Sequence, residues 1–336
     1  MNKLLVSLGI ISTGIWAFVS KLTHGFSEVW TDRFDVWTFH LFTPEIQQMT
    51  NGFHYDVNNN DMPTVIFFGL FTLLFLMYFL CVLLTERKRG DATNLVLIIF
   101  FAIIFRITLI PSVAIHENDF YRYLWDGKAI KHGINPFKYA PSDLFMFQHD
   151  IQEDFYYEYQ DVTLKHKNFN DQDAARLQKL MELRDENRTF YQRIGHWQVP
   201  TIYPPVAQGV FALSVFLKQD SLAMMKSIFL LFDMGVVVIV ILLLRHFKMN
   251  PNLCIVYAWS PLVLKEYANS MHYDPIVIFF TMLGLWLYFT QRNLSASFAL
   301  ALATLTKFFT AILWPILFSW KNHRAAVVFA ITCVAF

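Results

Sequence analysis

Residues 116–141 read His-Glu-Asn-Asp-Phe-Tyr-Arg-Tyr-Leu-Trp-Asp-Gly-Lys-Ala-Ile-Lys-His-Gly-Ile-Asn-Pro-Phe-Lys-Tyr-Ala-Pro, and this stretch directly follows the apolar run 93–113. The apolar run is long enough to cross a bilayer as a helix. Acids, bases and aromatic residues that follow a span so closely are expected at the membrane surface. The two stretches together therefore predict a membrane protein with polar chemistry at the lipid–water interface.

The composition indicates the same class. Of 336 residues, 55% are hydrophobic and 16% charged, and 35 are Phe. Such a chain is typical of a polytopic membrane protein, and spans in lipid satisfy their backbone as helices, so the predicted fold is all-α. Apolar runs of spanning or near-spanning length lie at 4–19, 64–84, 93–113, 222–244, 252–265, 275–290, 294–320 and 324–336, with a shorter run at 205–217.

Net charge and cysteine positions give no indication of a nucleic-acid partner or of disulfides. The net charge of +1 gives no reason to expect nucleic acid. Cys81, Cys254 and Cys333 lie inside apolar runs without metal-ligand spacing, which favours small buried hydrophobes over disulfides. The run at 4–19 lacks a small-residue cleavage site, so a first membrane helix is favoured over a signal peptide.

Basic residues set the predicted orientation. The turn 86–91, Glu-Arg-Lys-Arg-Gly-Asp, is the densest short basic loop and is expected in the cytoplasm. Residues 1–92 then form two N-terminal transmembrane helices joined by an external loop and followed by this turn. Residues 93–336 form a transmembrane core with the external loop 114–203. The chain ends at Phe336 inside an apolar run, so we expect a truncated C-terminus.

The external loop is predicted to contain amphipathic interfacial helices. One covers about 119–132 and is stopped by Gly133. Another covers 171–184, where apolar residues recur at helical spacing. After residue 203 two topologies remain open, because 205–217 is either a full crossing or a half-helix, and the positive-inside rule favours the half-helix.

Three carboxylates lie beside the predicted membrane surface: Glu117, Asp119 and Asp126. Loop acids are usually only solvated, but these alternate with Arg122 and with aromatic residues that could stack on sugar rings. A carboxylate in that position can act as a general base towards a hydroxyl. We select Asp119 as the base, with Glu117 as an accessory residue or, alternatively, a ligand of a divalent cation.

Two cations lie inside apolar runs. Arg106 either snorkels to the interface or faces the bundle interior and binds a lipid phosphate. Lys307 is the only basic residue in 294–320 and needs a compensating anion, for which Asp233 and a ligand phosphate are the alternatives.

Further polar residues near predicted helix ends are candidates for substrate binding. They are His196, Tyr203, Glu266, His272 and Asp274. Their ordinary alternative roles are surface exposure and helix capping, and the His272-x-Asp274 pair is a weak metal signal without a third ligand.

Taken as a series, these segments resemble the GT-C superfamily of membrane glycosyltransferases, most closely the prokaryotic polyprenol-phosphate-mannose-dependent mannosyltransferases. The matching pieces, in the family's order over 93–315, are Asp119-Phe-Tyr-Arg-Tyr-Leu-Trp-Asp-Gly127, Gly133-Ile-Asn-Pro136, Pro200-Thr-Ile-Tyr-Pro-Pro205, Tyr257-Ala-Trp-Ser-Pro-Leu262 with Glu266, His272-Tyr-Asp274 and Leu305-Thr-Lys307. Two residues depart from the family's pattern: Asn118 stands where relatives often have a second acid, and Ser260 where Asn is usual.

The resemblance implies a GT-C-like helix bundle in the cytoplasmic membrane of a prokaryote. It also implies a polyprenyl-phosphate-sugar donor, a hexose that is mannose in these relatives, and a lipid- or glycan-linked acceptor hydroxyl. The catalytic acid then falls on Asp119, with Arg106 and Lys307 as candidate contacts of the lipid phosphate. It implies no definite cofactor, and a divalent cation remains an alternative.

The main competing hypothesis is a transporter or flippase of a lipid-linked or polar substrate. Transporters usually place ionisable residues near the midplane of paired, broken helices. This chain instead concentrates its acids in one external loop. A noncatalytic scaffold would leave the series of matched motifs unexplained.

Overall fold

The computed structural model describes residues 2–25, 62–86, 92–115, 117–151, 153, 155–157, 162–317 and 323–335. Within these ranges the chain is overwhelmingly helical, which confirms the predicted all-α class. The exception is a small antiparallel hairpin in which Phe155–Tyr157 pairs with Val162–Leu164. The basic turn with Arg87, Lys88 and Arg89 lies outside the described residues.

The chain divides into two compact units. The first combines Met1–Glu117 with Lys226–Phe336, and the second is Asn118–Met225. The division of the sequence at residue 92 is not tested by this arrangement and stays a prediction.

Four of the described helices are long and apolar enough to cross a membrane: Asn2–Gly25, Met62–Glu86, Ala92–Leu109 and Leu222–His246. Four shorter apolar helices are Pro205–Leu217, Asp274–Phe289, Asn293–Thr304 and His323–Ala335. A helix of 13 residues, such as Pro205–Leu217, extends about 20 Å and is shorter than a hydrocarbon core of about 30 Å. This length agrees with the half-helix alternative, and the topology itself stays a prediction.

Large aromatic side chains fill the core of the first unit. Trp16 and Phe105 are both 1% exposed. The Trp259 indole N–H donates to the Ile98 carbonyl at 2.9 Å, and its ring meets Phe105 edge-on at 5.2 Å. Satisfying the indole in this way lets a residue with a polar tip pack fully inside the helix bundle.

Two apolar runs expected as continuous helices are interrupted. Run 252–265 becomes a series of short pieces: Pro251–Cys254, Ile255–Ala258, Pro261–Val263 and a π-helix, Leu264–Asn269. The break before Pro261 has a local cause, since proline disfavours helical backbone at the preceding residue and Ser260 has ψ 119°.

Run 294–320 is also broken, near its middle. Its pieces are Asn293–Thr304, a 3₁₀ turn at Phe308–Ile312 and Leu313–Leu317. Lys307 lies at the break with extended backbone, φ −146° and ψ 121°. The interruption therefore occurs beside the one basic side chain of that run.

In the second unit, Asp119–Lys131 packs closely against Pro205–Leu217. A Cβ at Gly127 would lie 2.7 Å from the Phe211 carbonyl oxygen, so only glycine permits this approach. The helix Asp119–Lys131 ends before Gly133, whose φ of +71° fits the prediction that a glycine terminates this helix.

The second predicted amphipathic helix is Asp171–Glu186, and it begins with a capping box between Asn170 and Asp173. Leu177 and Leu180 are buried, as their spacing predicts. Two short helices, Asp143–Gln148 and Arg188–Gln192, complete the described helices of this unit.

Candidate functional site

In the first unit, His272 lies between two carboxylates. Its Nε2 is 3.4 Å from Oε2 of Glu117 and 3.1 Å from Oε2 of Glu266. The three side chains are between 15% and 32% exposed, so they are held in place and still reach solvent. Such a group can bind hydroxyls and share a proton.

Local backbone geometry sets this group in place. Glu266 belongs to the π-helix Leu264–Asn269, a wide turn often found at functional sites. Met271 has a left-handed φ of 62°, and the His272 N–H donates to the Glu266 carbonyl at 3.1 Å. The turn therefore folds His272 back over the residue that precedes it by six positions.

The second part of the site is an ion pair. The Lys307 ammonium lies 2.7 Å from Asp274 Oδ1 and 4.7 Å from the centre of the Tyr273 ring. Asp274 is the first residue of Asp274–Phe289, where the positive helix end favours a carboxylate. The alternative in which Lys307 pairs with Asp233 is wrong.

We call Glu117, Glu266, His272, Asp274 and Lys307 the polar cluster. The sequence indicated each residue separately, and the structure joins them into two groups: His272 with Glu117 and Glu266, and Lys307 with Asp274. The sequence did not indicate Lys265, whose ammonium lies 3.2 Å from Glu266 Oε1. All the cluster side chains are less than about one-third exposed, which combines access with a fixed geometry.

No group of three or more His, Cys, Asp or Glu side chains among the described residues has a geometry that could hold a metal ion. The divalent cation considered as an alternative for Glu117 and Asp119 therefore gains no support and stays a prediction.

Arg106 lies in a different, closed environment. Its Nε donates to Asp233 Oδ2 at 2.5 Å, and its Nη1 donates to the carbonyls of Ala102 and Ala258. Asp233 also accepts from the Tyr257 hydroxyl at 2.6 Å. The paired side chains are 3% and 1% exposed. The snorkelling alternative is thus wrong, and a phosphate contact would require this ion pair to open.

In the second unit, Arg122 and Asp126 are occupied by internal contacts. Arg122 Nε donates to Asp126 Oδ1 at 2.8 Å, and Gln208 Nε2 donates to Asp126 Oδ2 at 2.9 Å. Burial raises the pKa of Asp126, while the Arg122 charge opposes that rise. These bonds tie Asp119–Lys131 to Pro205–Leu217, a structural use that the sequence did not indicate.

The aromatic residues of the opening stretch are likewise internal. Tyr121, Tyr123 and Trp125 are at most 7% exposed, so their rings pack within the unit and do not offer faces to a sugar. The Tyr123 ring stacks on Phe211 at 4.4 Å. Asp119, the first residue of its helix, is half-buried.

His196 and Tyr203 occupy different surroundings in the second unit. The His196 side chain is exposed, its φ is +51°, and its carbonyl accepts from Arg122 Nη1 at 3.4 Å. Tyr203 is half-buried, with its ring edge-on to Tyr123. The His196 side chain is thus the more open of the two, and the substrate contact of each stays a prediction.

One buried cation was missed from the sequence. Lys226 is 2% exposed, and its ammonium donates to the carbonyls of Leu109 and Ser112 at 3.2 and 2.9 Å. A signal for it existed, because Lys226 is the only basic residue in the apolar run 222–244.

Comparison with known proteins gives one match. Residues 187–321 match the MptA_B family, described as alpha-(1->6)-mannopyranosyltransferase, N-terminal domain. The match confirms the resemblance to GT-C mannosyltransferases and points to mannosyltransferase activity in a membrane protein. No curated protein and no solved structure matches the chain.

Proposed function

We propose, on the premise of that family match, that the protein transfers mannose from a polyprenyl-phosphate-sugar donor to an acceptor hydroxyl at the external face of the cytoplasmic membrane of a prokaryote. The observation that supports this most strongly is the content of the matched segment. Four members of the polar cluster, Glu266, His272, Asp274 and Lys307, lie within 187–321. The family match and four of the five residues of the polar cluster thus lie in the same part of the chain.

In the proposed reaction the acceptor oxygen attacks the anomeric carbon. The bond between that carbon and the phosphate oxygen breaks, and the lipid phosphate leaves with the bonding electrons. Asp119 takes the proton of the acceptor hydroxyl as general base. A phosphate leaves as a stable anion, so neutralising its charge is the larger requirement and protonating it is not needed.

Lys307 is the residue we propose to neutralise that anion. It is 26% exposed and already oriented by Asp274, whereas Arg106 and Arg122 are almost completely buried in ion pairs of their own. The partial exposure lets a phosphate approach Lys307 while Asp274 stays bound. Holding the ammonium in place beforehand reduces the reorganisation needed when the leaving group departs.

The group around His272 is suited to binding sugar hydroxyls. Glu117 and Glu266 supply carboxylate oxygens as acceptors, and His272 supplies a ring nitrogen between them. A polar site of this kind discriminates strongly, because a substrate lacking the matching hydroxyl leaves these groups unpaired. We propose that this group contacts the transferred sugar.

A transporter remains the competing hypothesis, and a midplane cavity lined by Asp233 and Lys307 would favour it. Asp233 binds Arg106 and Tyr257, while Lys307 binds Asp274. The two residues that would line a transport path are thus engaged separately.

The direct test supplies the purified protein with radiolabelled polyprenyl-phosphate mannose and a lipid and glycan extract as acceptor. We expect label to move into the acceptor fraction. Polyprenyl-phosphate glucose and a nucleotide-activated mannose serve as parallel donors. Transfer from the nucleotide sugar alone, or from none of the donors, would contradict the proposed donor.

Asp119→Asn tests the base. We expect transfer to fall about 10²–10⁴-fold, because no base then removes the proton of the attacking hydroxyl, while the side chain keeps its shape. Asp171→Asn is the matched control, since Asp171 is also the acidic first residue of a helix. Equal transfer by both variants would remove Asp119 from the proposed role.

A further inference from the structure

The segment 109–115, which leads to Glu117, is fixed from several sides within the first unit. Lys226 donates to the carbonyls of Leu109 and Ser112, and its ammonium also lies 3.3 Å from Ser112 Oγ. These contacts hold the last turn of Ala92–Leu109 and the residues after it. An otherwise irregular stretch is thereby kept in one conformation.

Two residues near the end of the helix Asn2–Gly25 also bond to segment 109–115. A ring nitrogen of His24 lies 2.9 Å from the Pro111 carbonyl, and Thr23 Oγ1 accepts from the Val113 N–H at 2.9 Å. Thr23 is 1% exposed. The segment is thus bonded to residues distant from it in the chain at nearly every position.

Asn269 makes the most extensive of these contacts. Its Nδ2 donates to Ser112 Oγ at 2.9 Å and to the Val113 carbonyl at 2.7 Å, and its Oδ1 accepts from the Ile115 N–H at 3.2 Å. The neighbouring Ser270 donates to the Ile115 carbonyl at 3.0 Å. Asn269 is 1% exposed, so these bonds are shielded from water.

Asn269 and Glu266 belong to the same π-helix, Leu264–Asn269. This one short turn therefore carries the Glu266 carboxylate and also forms hydrogen bonds with segment 109–115, which leads to Glu117. We expect the distance between Glu117 and His272 to depend on these hydrogen bonds, because Glu117 lies only two residues after Ile115.

We propose that Asn269 is a positioning residue for the transfer reaction: it fixes segment 109–115 against the π-helix and so holds Glu117 beside His272 and Glu266. This inference rests on the proposed function, in which those three side chains contact the sugar. Asn269 itself is buried and touches neither sugar nor phosphate. Its effect passes through the placement of Glu117, since small displacements at a reacting centre cost large factors in rate.

The test replaces Asn269 with leucine, which has a similar volume and no hydrogen-bonding groups. We expect kcat for transfer to fall about 10- to 100-fold with a smaller change in KM. Asn252→Leu is the matched control, because Asn252 is equally buried in the first unit and belongs to a different element, Pro251–Cys254. We expect the control to keep transfer within about threefold.

A double-mutant cycle separates positioning from a general structural role. If Asn269 acts through Glu117, Asn269→Leu should change transfer less than about twofold in a Glu117→Gln background. An equal loss in both backgrounds would overturn the proposal. Should the leucine variant fail to fold, Asn269→Asp is used in the same cycle, because it keeps the acceptor for Ile115 and loses both amide donors.

Amide hydrogen exchange gives a readout that needs no activity. We expect the Val113 and Ile115 amides to exchange faster in Asn269→Leu than in Asn252→Leu, because their segment loses its bonds to the π-helix. Unchanged exchange would overturn the proposal even if transfer falls. If the unmodified protein shows no transfer, the proposed function fails. The exchange result still tests whether Asn269 fixes segment 109–115.

Discussion

Two of the ion pairs in the first unit, Arg106–Asp233 and Lys307–Asp274, carry the same charges in opposite surroundings. Arg106 and Asp233 are 3% and 1% exposed, and Tyr257 and two backbone carbonyls form further hydrogen bonds with them. Lys307 and Asp274 are 26% and 31% exposed and lie at a helix break and a helix start. The first pair is closed to a ligand, and the second is open to one. Burial, and not charge, therefore separates the structural cation from the candidate catalytic one.

Breaking the closed pair should give the largest effect. Arg106→Met leaves Asp233 buried without its cation, and we expect the free energy of unfolding to fall by about 3–5 kcal/mol in detergent denaturation. Adding Asp233→Leu should restore most of that loss, because a buried ion pair is often replaceable by apolar residues. A single variant as stable as the unmodified protein would show that the pair is not closed in solution.

Breaking the open pair should change transfer more than stability. Lys307→Met removes the cation proposed to face the lipid phosphate, and we expect transfer to fall about 100-fold. The free energy of unfolding should change by no more than about 1 kcal/mol, as for partly exposed pairs. Measuring transfer and unfolding on the same preparation checks both. A stability loss as large as that of Arg106→Met would erase the distinction.

Tyr257→Phe sharpens the comparison from the structural side. It removes only the hydroxyl that donates to Asp233 at 2.6 Å, and we expect a loss of about 1.5–3 kcal/mol in the free energy of unfolding. Transfer by the folded fraction should stay near that of the unmodified protein.

A pair in the second unit, in which Lys138 is exposed and Asp173 is buried, should give the smallest effect. Hydrogen bonds from Lys138 and Tyr139 lower the pKa of Asp173 from 3.8 to about 2. The stabilisation is therefore present above pH 3.8 and is lost as the pH falls towards 2. We expect Asp173→Asn to flatten the dependence of thermal unfolding on pH in that window. An unchanged dependence would mean that the pair contributes nothing measurable.

The sequence predicted more of the elements than of their contacts. The long spans and both helices of the external loop followed from hydropathy, spacing and the glycine stop at Gly133, which are local properties. The pairing of Lys307 with Asp274 was not predictable in this way, because the two residues lie 33 positions apart in the chain. The same limit explains the wrong partner given to Asp233.

The candidate site shows the same division. Chemistry and motif order identified every member of the polar cluster, but they favoured Arg106, Arg122 and Asp126 equally. These three are buried in bonds that depend on tertiary packing. Lys226 and Asn269 were overlooked because their bonding partners in segment 109–115 are distant in the chain, although the position of Lys226 in an apolar run was a signal.

The most direct test of the central claim compares transfer by Lys307→Met with transfer by Lys307→Met combined with Asp274→Leu, using radiolabelled polyprenyl-phosphate mannose. The double variant has no stranded carboxylate, so it should unfold like the unmodified protein. We predict that its transfer stays about 100-fold reduced, because the phosphate still lacks its cation. Recovery of normal transfer in the double variant would contradict the account, since the open pair would then be structural too.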